Sequence, residues 1–139
     1  MIIWVDDDIS AGLIPFVEAV QDGGYKIIMI KNPDDIWEPL KRSDIYGIIM
    51  DVSLPTGNRI SIESSQSGIL TGLELMKELK ENCNYSSIPL IILTIVTNHE
   101  VTIWAENNGI LLLRKQDVLP RELLSAVKSQ GILTDENEQ

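Results

Sequence analysis

Ile2-Ile3-Trp4-Val5-Asp6-Asp7-Asp8 is the stretch on which the fold turns. An apolar run with no polar alternation leads straight into consecutive carboxylates. A run of this kind suits a strand covered on both faces, and such strands belong to parallel sheets. The pattern returns at Gly47-Ile48-Ile49-Met50-Asp51, where a second apolar run again stops at an aspartate. Ile27–Ile30, Leu90–Leu93 and Ile110–Leu113 are further runs of the same length and composition.

The segments between these runs read as helices. The first covers about Ser10 to Asp22, with Leu13, Val17 and Val20 on one face and Gly23-Gly24 as its stop. Pro15 lies inside it and delays the regular helix to that point. The second opens on Asn32 as N-cap, with Pro33 at its first position and Asp34 and Asp35 in its first turn. Pro39 keeps it short or kinked. The third starts at Thr71, where Thr71-x-x-Glu74 has the form of a capping box, and buries Leu73, Leu75, Met76 and Leu79. The fourth covers about His99 to Asn108 and ends at Gly109. The fifth starts near Pro120, turns Leu123, Leu124 and Val127 inward, and ends by Gly131. Strand and helix thus alternate along the whole chain. The expected fold is a doubly wound α/β domain, with a five-stranded parallel sheet in the flavodoxin-like order 2-1-3-4-5 and helices on both faces.

Composition narrows the function. The 139 residues fit one domain, expected over residues 1–134, with an acidic tail at 135–139, and 44% of them are apolar. Acidic side chains outnumber basic ones 21 to 11, for a net charge of −10. That balance repels phosphate backbones, so no nucleic acid is expected as a partner. One cysteine, Cys83, and one histidine, His99, leave no disulfide framework and no Cys/His zinc cluster. A Ser-His-Asp triad would have to use His99, and no Gly-x-Ser-x-Gly elbow accompanies it. No apolar stretch is long enough for a membrane span and no basic n-region opens the chain, so a cytoplasmic location with no membrane association is expected.

What chemistry there is rests on carboxylates. In a sheet of this order, ligands sit beyond the carboxyl ends of the strands, at the switch point between the first and third. Asp6, Asp7 and Asp8 follow the first run, Asp51 the third, Thr94 the fourth, and Lys115 lies just past the fifth. A single strand-end aspartate commonly caps the next helix. The whole set in register points to a site instead. Crowded carboxylates cannot all stay ionised unless something compensates them. A hard divalent cation such as Mg²⁺ does so, and it is often shared with a phosphate. Thr94 and Lys115 would supply the hydroxyl and the positive charge that a phosphoryl group needs. Thr56 to Thr71 breaks the rhythm: connections of this kind usually take about 2–6 residues, and this serine-rich stretch is far longer.

Taken in order, Ile2–Asp8, Ile48-Ile49-Met50-Asp51-Val52-Ser53-Leu54-Pro55, Gly72-Leu73-Glu74-Leu75, Leu90–Thr94 and Lys115 resemble the receiver domain of two-component response regulators. The resemblance implies that Asp51 is the phosphoacceptor, taking a phosphoryl group from the phosphohistidine of a histidine kinase or phosphotransfer protein. It implies that Asp7 ligates Mg²⁺ directly, Asp6 mostly through water, and that Asp51 and the backbone carbonyl of Ser53 complete the protein ligands. Lys115 would pair with the phosphoryl group and Thr94 would hydrogen-bond it, biasing a two-state domain. Such a domain accepts phosphoryl onto its own aspartate and is not a turnover enzyme.

The sequence departs from the family pattern in four places. Ile95 stands where the residue after the threonine is usually small. Gln116 replaces the proline that usually follows the lysine. Leu112 occupies the position of a common aromatic switch residue. Residues 56–71 form an insertion between the third strand and its helix. Nothing resembling an output domain follows the last helix, so a complete chain would signal through protein contacts to an unidentified downstream partner, centred on the fourth and fifth helices and the fifth strand, with homodimerisation open. The alternative is a receiver-like interaction module that works without phosphorylation. A haloacid-dehalogenase-type phosphatase needs an acid two positions after the nucleophile, where Ser53 stands, and a P-loop nucleotidase needs a Gly-x-x-x-x-Gly-Lys motif that is absent.

Overall fold

The computed structural model describes residues 1–8, 12–55, 68, 70–96 and 98–134. Most of the 56–71 insertion and the acidic tail at 135–139 lie outside the described residues. The apolar runs become five parallel strands: β1 (Ile2–Val5), β2 (Ile27–Ile30), β3 (Gly47–Met50), β4 (Leu90–Thr94) and β5 (Leu111–Arg114). Their order is β2-β1-β3-β4-β5, the expected switch-point arrangement. The three inner strands are buried along their entire length, which is why their sequences show no alternation. The edge strands β2 and β5 are mostly half-buried.

Two apolar layers sandwich the sheet. On one face, Ile2, Trp4, Ile49, Ile91 and Leu93 meet α1 (Ile14–Asp22) and α4 (Pro120–Ser129) through Leu13, Phe16, Val20, Leu123 and Val127. On the other, Ile3, Val5, Ile48, Met50 and Ile92 meet α2 (Thr71–Glu81) and α3 (His99–Asn107) through Leu73, Met76, Leu79, Val101 and Ala105. Alternate residues of a strand point to opposite faces, and each face here has its own helices to bury against. No helix among the described residues is long and apolar enough to cross a membrane.

Three local expectations are corrected. The segment after Asn32 is not an α-helix. Asn32 does cap it, its Oδ1 accepting from Asp34 N–H at 3.0 Å, but the chain forms two short 3₁₀ turns, Pro33–Ile36 and Pro39–Lys41. The second proline lacks the N–H that a continuing helix would need and crowds the preceding turn. The Thr71-x-x-Glu74 capping box does not form. Thr71 is already helical, its hydroxyl donates to the Gly68 carbonyl at 3.3 Å, and Glu74 pairs with Lys77. The last strand begins at Leu111 rather than Ile110 and runs through Arg114. Pro15 acts as expected, sitting in the first turn of a helix that starts at Ile14.

Candidate functional site

Strand register builds the site. Val5 pairs with Met50 across β1 and β3, so the next residues, Asp6 and Asp51, emerge side by side. Asp51 N–H donates to the Val5 carbonyl at 2.9 Å, which fixes that alignment. On the far side, Thr94 pairs with Arg114, and Lys115 N–H donates to the Thr94 carbonyl at 3.0 Å. The turn beyond is closed by Asp117 and Val118, whose N–H groups both donate to the Arg114 carbonyl. That turn holds the backbone just past Lys115, with Gln116 inside it.

The Lys115 ammonium reaches back across the sheet edge. Its Nζ lies 2.7 Å from Asp6 Oδ2 and 3.3 Å from Asp51 Oδ2. The remaining carboxylate oxygens are held by backbone: Asp8 N–H donates to Asp6 Oδ1 at 2.9 Å, and Val52 N–H to Asp51 Oδ1 at 2.7 Å. Both carboxyls are oriented by these bonds, and both are buried. Burial pushes the Asp6 pKa above its ordinary value, and the neighbouring Asp51 charge adds to that, against the pull of Lys115. For Lys115, burial works against the charge, but its contacts with Asp6 and Asp51 outweigh it and raise its pKa.

One lysine does not balance three acids. Asp6, Asp7 and Asp51 each offer an oxygen, and these oxygens lie within 4.8 Å of one another. Asp7 is exposed, so the cluster opens to solvent on its side. An all-carboxylate donor set around an uncompensated negative charge fits a hard divalent cation and is consistent with the Mg²⁺ site of a receiver. A cleft of about 370 Å³ opens over the cluster. Asp7, Asp51, Ser53 and Lys115 form its polar side, and Leu13, Phe16 and Ile95 its apolar side.

The other expected residues are placed less closely. Thr94 is buried at the end of β4, and its Oγ1 accepts from Val96 N–H at 3.1 Å, so the hydroxyl is engaged by its own loop. Ile95 lies on the cleft wall and is 64% exposed. Leu112 packs on the face shared by α2 and α3, away from the cleft. Gly12, Leu13 and Phe16 were not anticipated as cleft residues. The motif spacing carried no sign of them, since they reach the site only when α1 folds back along the sheet.

Nor was any role expected for Gly72. Its N–H donates to the Val52 carbonyl at 2.7 Å, and a β-carbon on it would overlap the Asp51 carbonyl and stand 2.7 Å from Val52 Cα. The signal was present in the Gly72-Leu73-Glu74-Leu75 motif, but a glycine required by close backbone approach cannot be told from sequence alone.

No family model matches the chain, and no curated protein matches it either. Solved structures do. Chemotaxis protein CheY4 of Vibrio cholerae superposes with a TM-score of 0.69 at 22% identity, over 95% of this chain and 97% of that one. A CheY-like response regulator receiver domain protein from Methanospirillum hungatei gives 0.71 at 21%, over 99% and 94%. The BeF3-activated N-terminal receiver domain of RstA from Klebsiella pneumoniae gives 0.70 at 18%, over 93% and 96%. The chain has the fold of a CheY-like response regulator receiver domain.

Proposed function

We propose that this domain is a phosphoacceptor in two-component signalling, with Asp51 as the residue that takes the phosphoryl group. The observation that carries this is the cluster itself: three carboxylates within 4.8 Å, two of them bridged by one lysine, at the switch point of the sheet. In the reaction, a carboxylate oxygen of Asp51 forms a bond to phosphorus as the phosphorus–nitrogen bond of a phosphohistidine breaks, and the imidazole leaves with the electron pair. Bound Mg²⁺, held by Asp6, Asp7, Asp51 and the Ser53 carbonyl, would offset the negative charge of donor and acceptor. Val52 N–H holds one Asp51 oxygen in place and Lys115 faces the other, so the carboxylate presents a defined edge to the donor. Lys115 then has a phosphoryl oxygen to pair with, and Thr94 supplies a hydroxyl once it turns from its own loop.

The donor on this reading is a histidine kinase or phosphotransfer protein. Output runs through protein contacts on the face of α3, β5 and α4, where Ile103 and Leu119 are exposed. The domain is modified and reset rather than turning over a substrate. A second reading, a receiver-like module that signals without phosphorylation, is favoured by Ile95, a bulky side chain on the wall of the cleft that Asp51 lines.

Incubation with acetyl phosphate and Mg²⁺, followed by intact-protein mass spectrometry, separates the two. A phosphoryl adduct on the wild type that is absent from Asp51→Asn is the expected result. No adduct on the wild type would favour the phosphorylation-independent module.

A further inference from the structure

The first turn of α2 lacks a side-chain cap. Leu70 occupies the N-cap position and offers no acceptor. The orphan N–H of Gly72 is instead satisfied by the Val52 carbonyl at 2.7 Å, one residue past Asp51. That bond is possible because residue 72 has no β-carbon: any other side chain would drive the helix off the Asp51 carbonyl and Val52 Cα. Both obstructing groups are backbone, so no rotamer change relieves them. The same Val52 donates its N–H to the Asp51 carboxylate at 2.7 Å. Val52 is therefore held at both of its backbone groups, its N–H by the carboxylate it orients and its carbonyl by the helix end behind it.

Resting on the phosphoacceptor reading for its chemistry, we propose that Gly72 is a positioning residue of this site. By letting α2 close on the backbone of residues 51–52, it fixes the Asp51 carboxylate and the Ser53 carbonyl in the geometry that a cation needs. Gly72 touches neither the cation nor the phosphoryl group and acts only through that backbone.

A control lies on the same strand. Gly47, at the opposite end of β3, also has no room for a β-carbon, which would come within 2.6 Å of Ile132 Cδ1. That obstruction is a side chain far from the cluster. Gly72→Ala and Gly47→Ala thus both crowd the core, but only the first should reach the site. Mg²⁺ titrations followed by the amide resonances of Val52 and Ser53, with urea denaturation of each variant, read position and stability separately. Gly72→Ala is expected to weaken Mg²⁺ binding by about tenfold or more, as loss of outer-shell support typically does, while Gly47→Ala stays close to wild type. Equal Mg²⁺ affinity in Gly72→Ala and wild type would overturn the proposal, as would equal losses in both variants.

If Gly72→Ala does not fold, an ester in place of the residue 72 amide removes the N–H without adding volume. Weaker Mg²⁺ binding in that chain supports the proposal, and unchanged binding overturns it. A wild-type protein that binds Mg²⁺ yet accepts no phosphoryl group would overturn the phosphoacceptor reading alone and leave this test intact. A wild type that binds no Mg²⁺ would overturn both.

Discussion

Aspartates stand at both ends of this parallel sheet, and the two ends treat them in opposite ways. At the carboxyl end, Asp6 is buried beside Asp51, shares a single lysine with it, and is pushed toward the neutral form. At the amino end, Asp44 accepts two 2.8 Å hydrogen bonds from the Arg42 guanidinium, and its pKa is drawn down to about 2. Its backbone carbonyl also accepts from the amino group of Met1. Asp44 has a cation of its own, whereas in the cluster of Asp6, Asp7 and Asp51 the acids outnumber the lysine that contacts two of them. A fold that spent its charges only on stability would look like the amino end throughout. The imbalance at the other end is one that a divalent cation would offset.

The comparison can be broken most decisively at Asp7. This residue is exposed, so Asp7→Ala should change stability by less than about 0.5 kcal/mol while abolishing Mg²⁺-dependent phosphorylation. Urea denaturation and the acetyl phosphate assay check the two halves. A variant that is still phosphorylated at the wild-type rate would remove Asp7 from the cation site.

Next comes Lys115→Ala, which strips Asp6 and Asp51 of the lysine that bridges them. Removing one partner of a buried ion pair typically costs about 3 kcal/mol, and a loss of that order is expected at pH 7 in the absence of divalent metal. The sign of the pH dependence follows from Asp6. Its folded pKa lies above its ordinary value of 3.8, so its favourable contribution is complete below that value and fades as pH rises through the folded pKa. Without Lys115 that pKa climbs further, and the deficit of the variant should shrink on acidification from pH 7 to pH 5. A deficit that stays constant would show that Asp6 does not take up the proton.

The smallest effect belongs to the amino end. The depressed pKa of Asp44 adds stability above 3.8 that is lost as pH falls through about 2. Asp44→Asn should flatten that acid limb while costing less than about 1 kcal/mol at neutral pH, as partly exposed pairs do. Thermal melts between pH 2 and pH 7 would show it.

Much of this was legible in the sequence, for identifiable reasons. Ile2–Val5 and Gly47–Met50 announced buried parallel strands because neither face of either strand meets water. Once the strands were placed, Asp6, Asp51 and Lys115 had to converge, since all lie just past strand ends in one sheet. Local chemistry misled where the backbone offered other partners. Thr71-x-x-Glu74 has the form of a cap, but the Glu74 N–H that the cap would have held donates to the Leu70 carbonyl at 3.1 Å, and the Thr71 hydroxyl turns to the Gly68 carbonyl. Asn98, whose Oδ1 accepts from Glu100 and Val101 N–H groups at the start of α3, was passed over as a cap. Phe16 and Gly72 were invisible as site residues because their importance lies in a distance between segments far apart in the chain.

Just past Asp51, Leu54 N–H donates to the Gly68 carbonyl at 3.2 Å, and Thr71 returns to the same carbonyl at 3.3 Å. Thirteen residues, Pro55 to Ser67, separate the two sides of that clasp. Their endpoints are pinned together whatever lies between, and doubling the length of a flexible loop costs only about 0.6 kcal/mol. For protein engineering, the clasp is a splice point: a peptide tag or a small sensor domain placed there would hang from two backbone positions a few residues from the acidic cluster. Evolution faces the same economics. A change of length between these two positions leaves the pairing of the sheet untouched, because both sides of the clasp are held by backbone outside it.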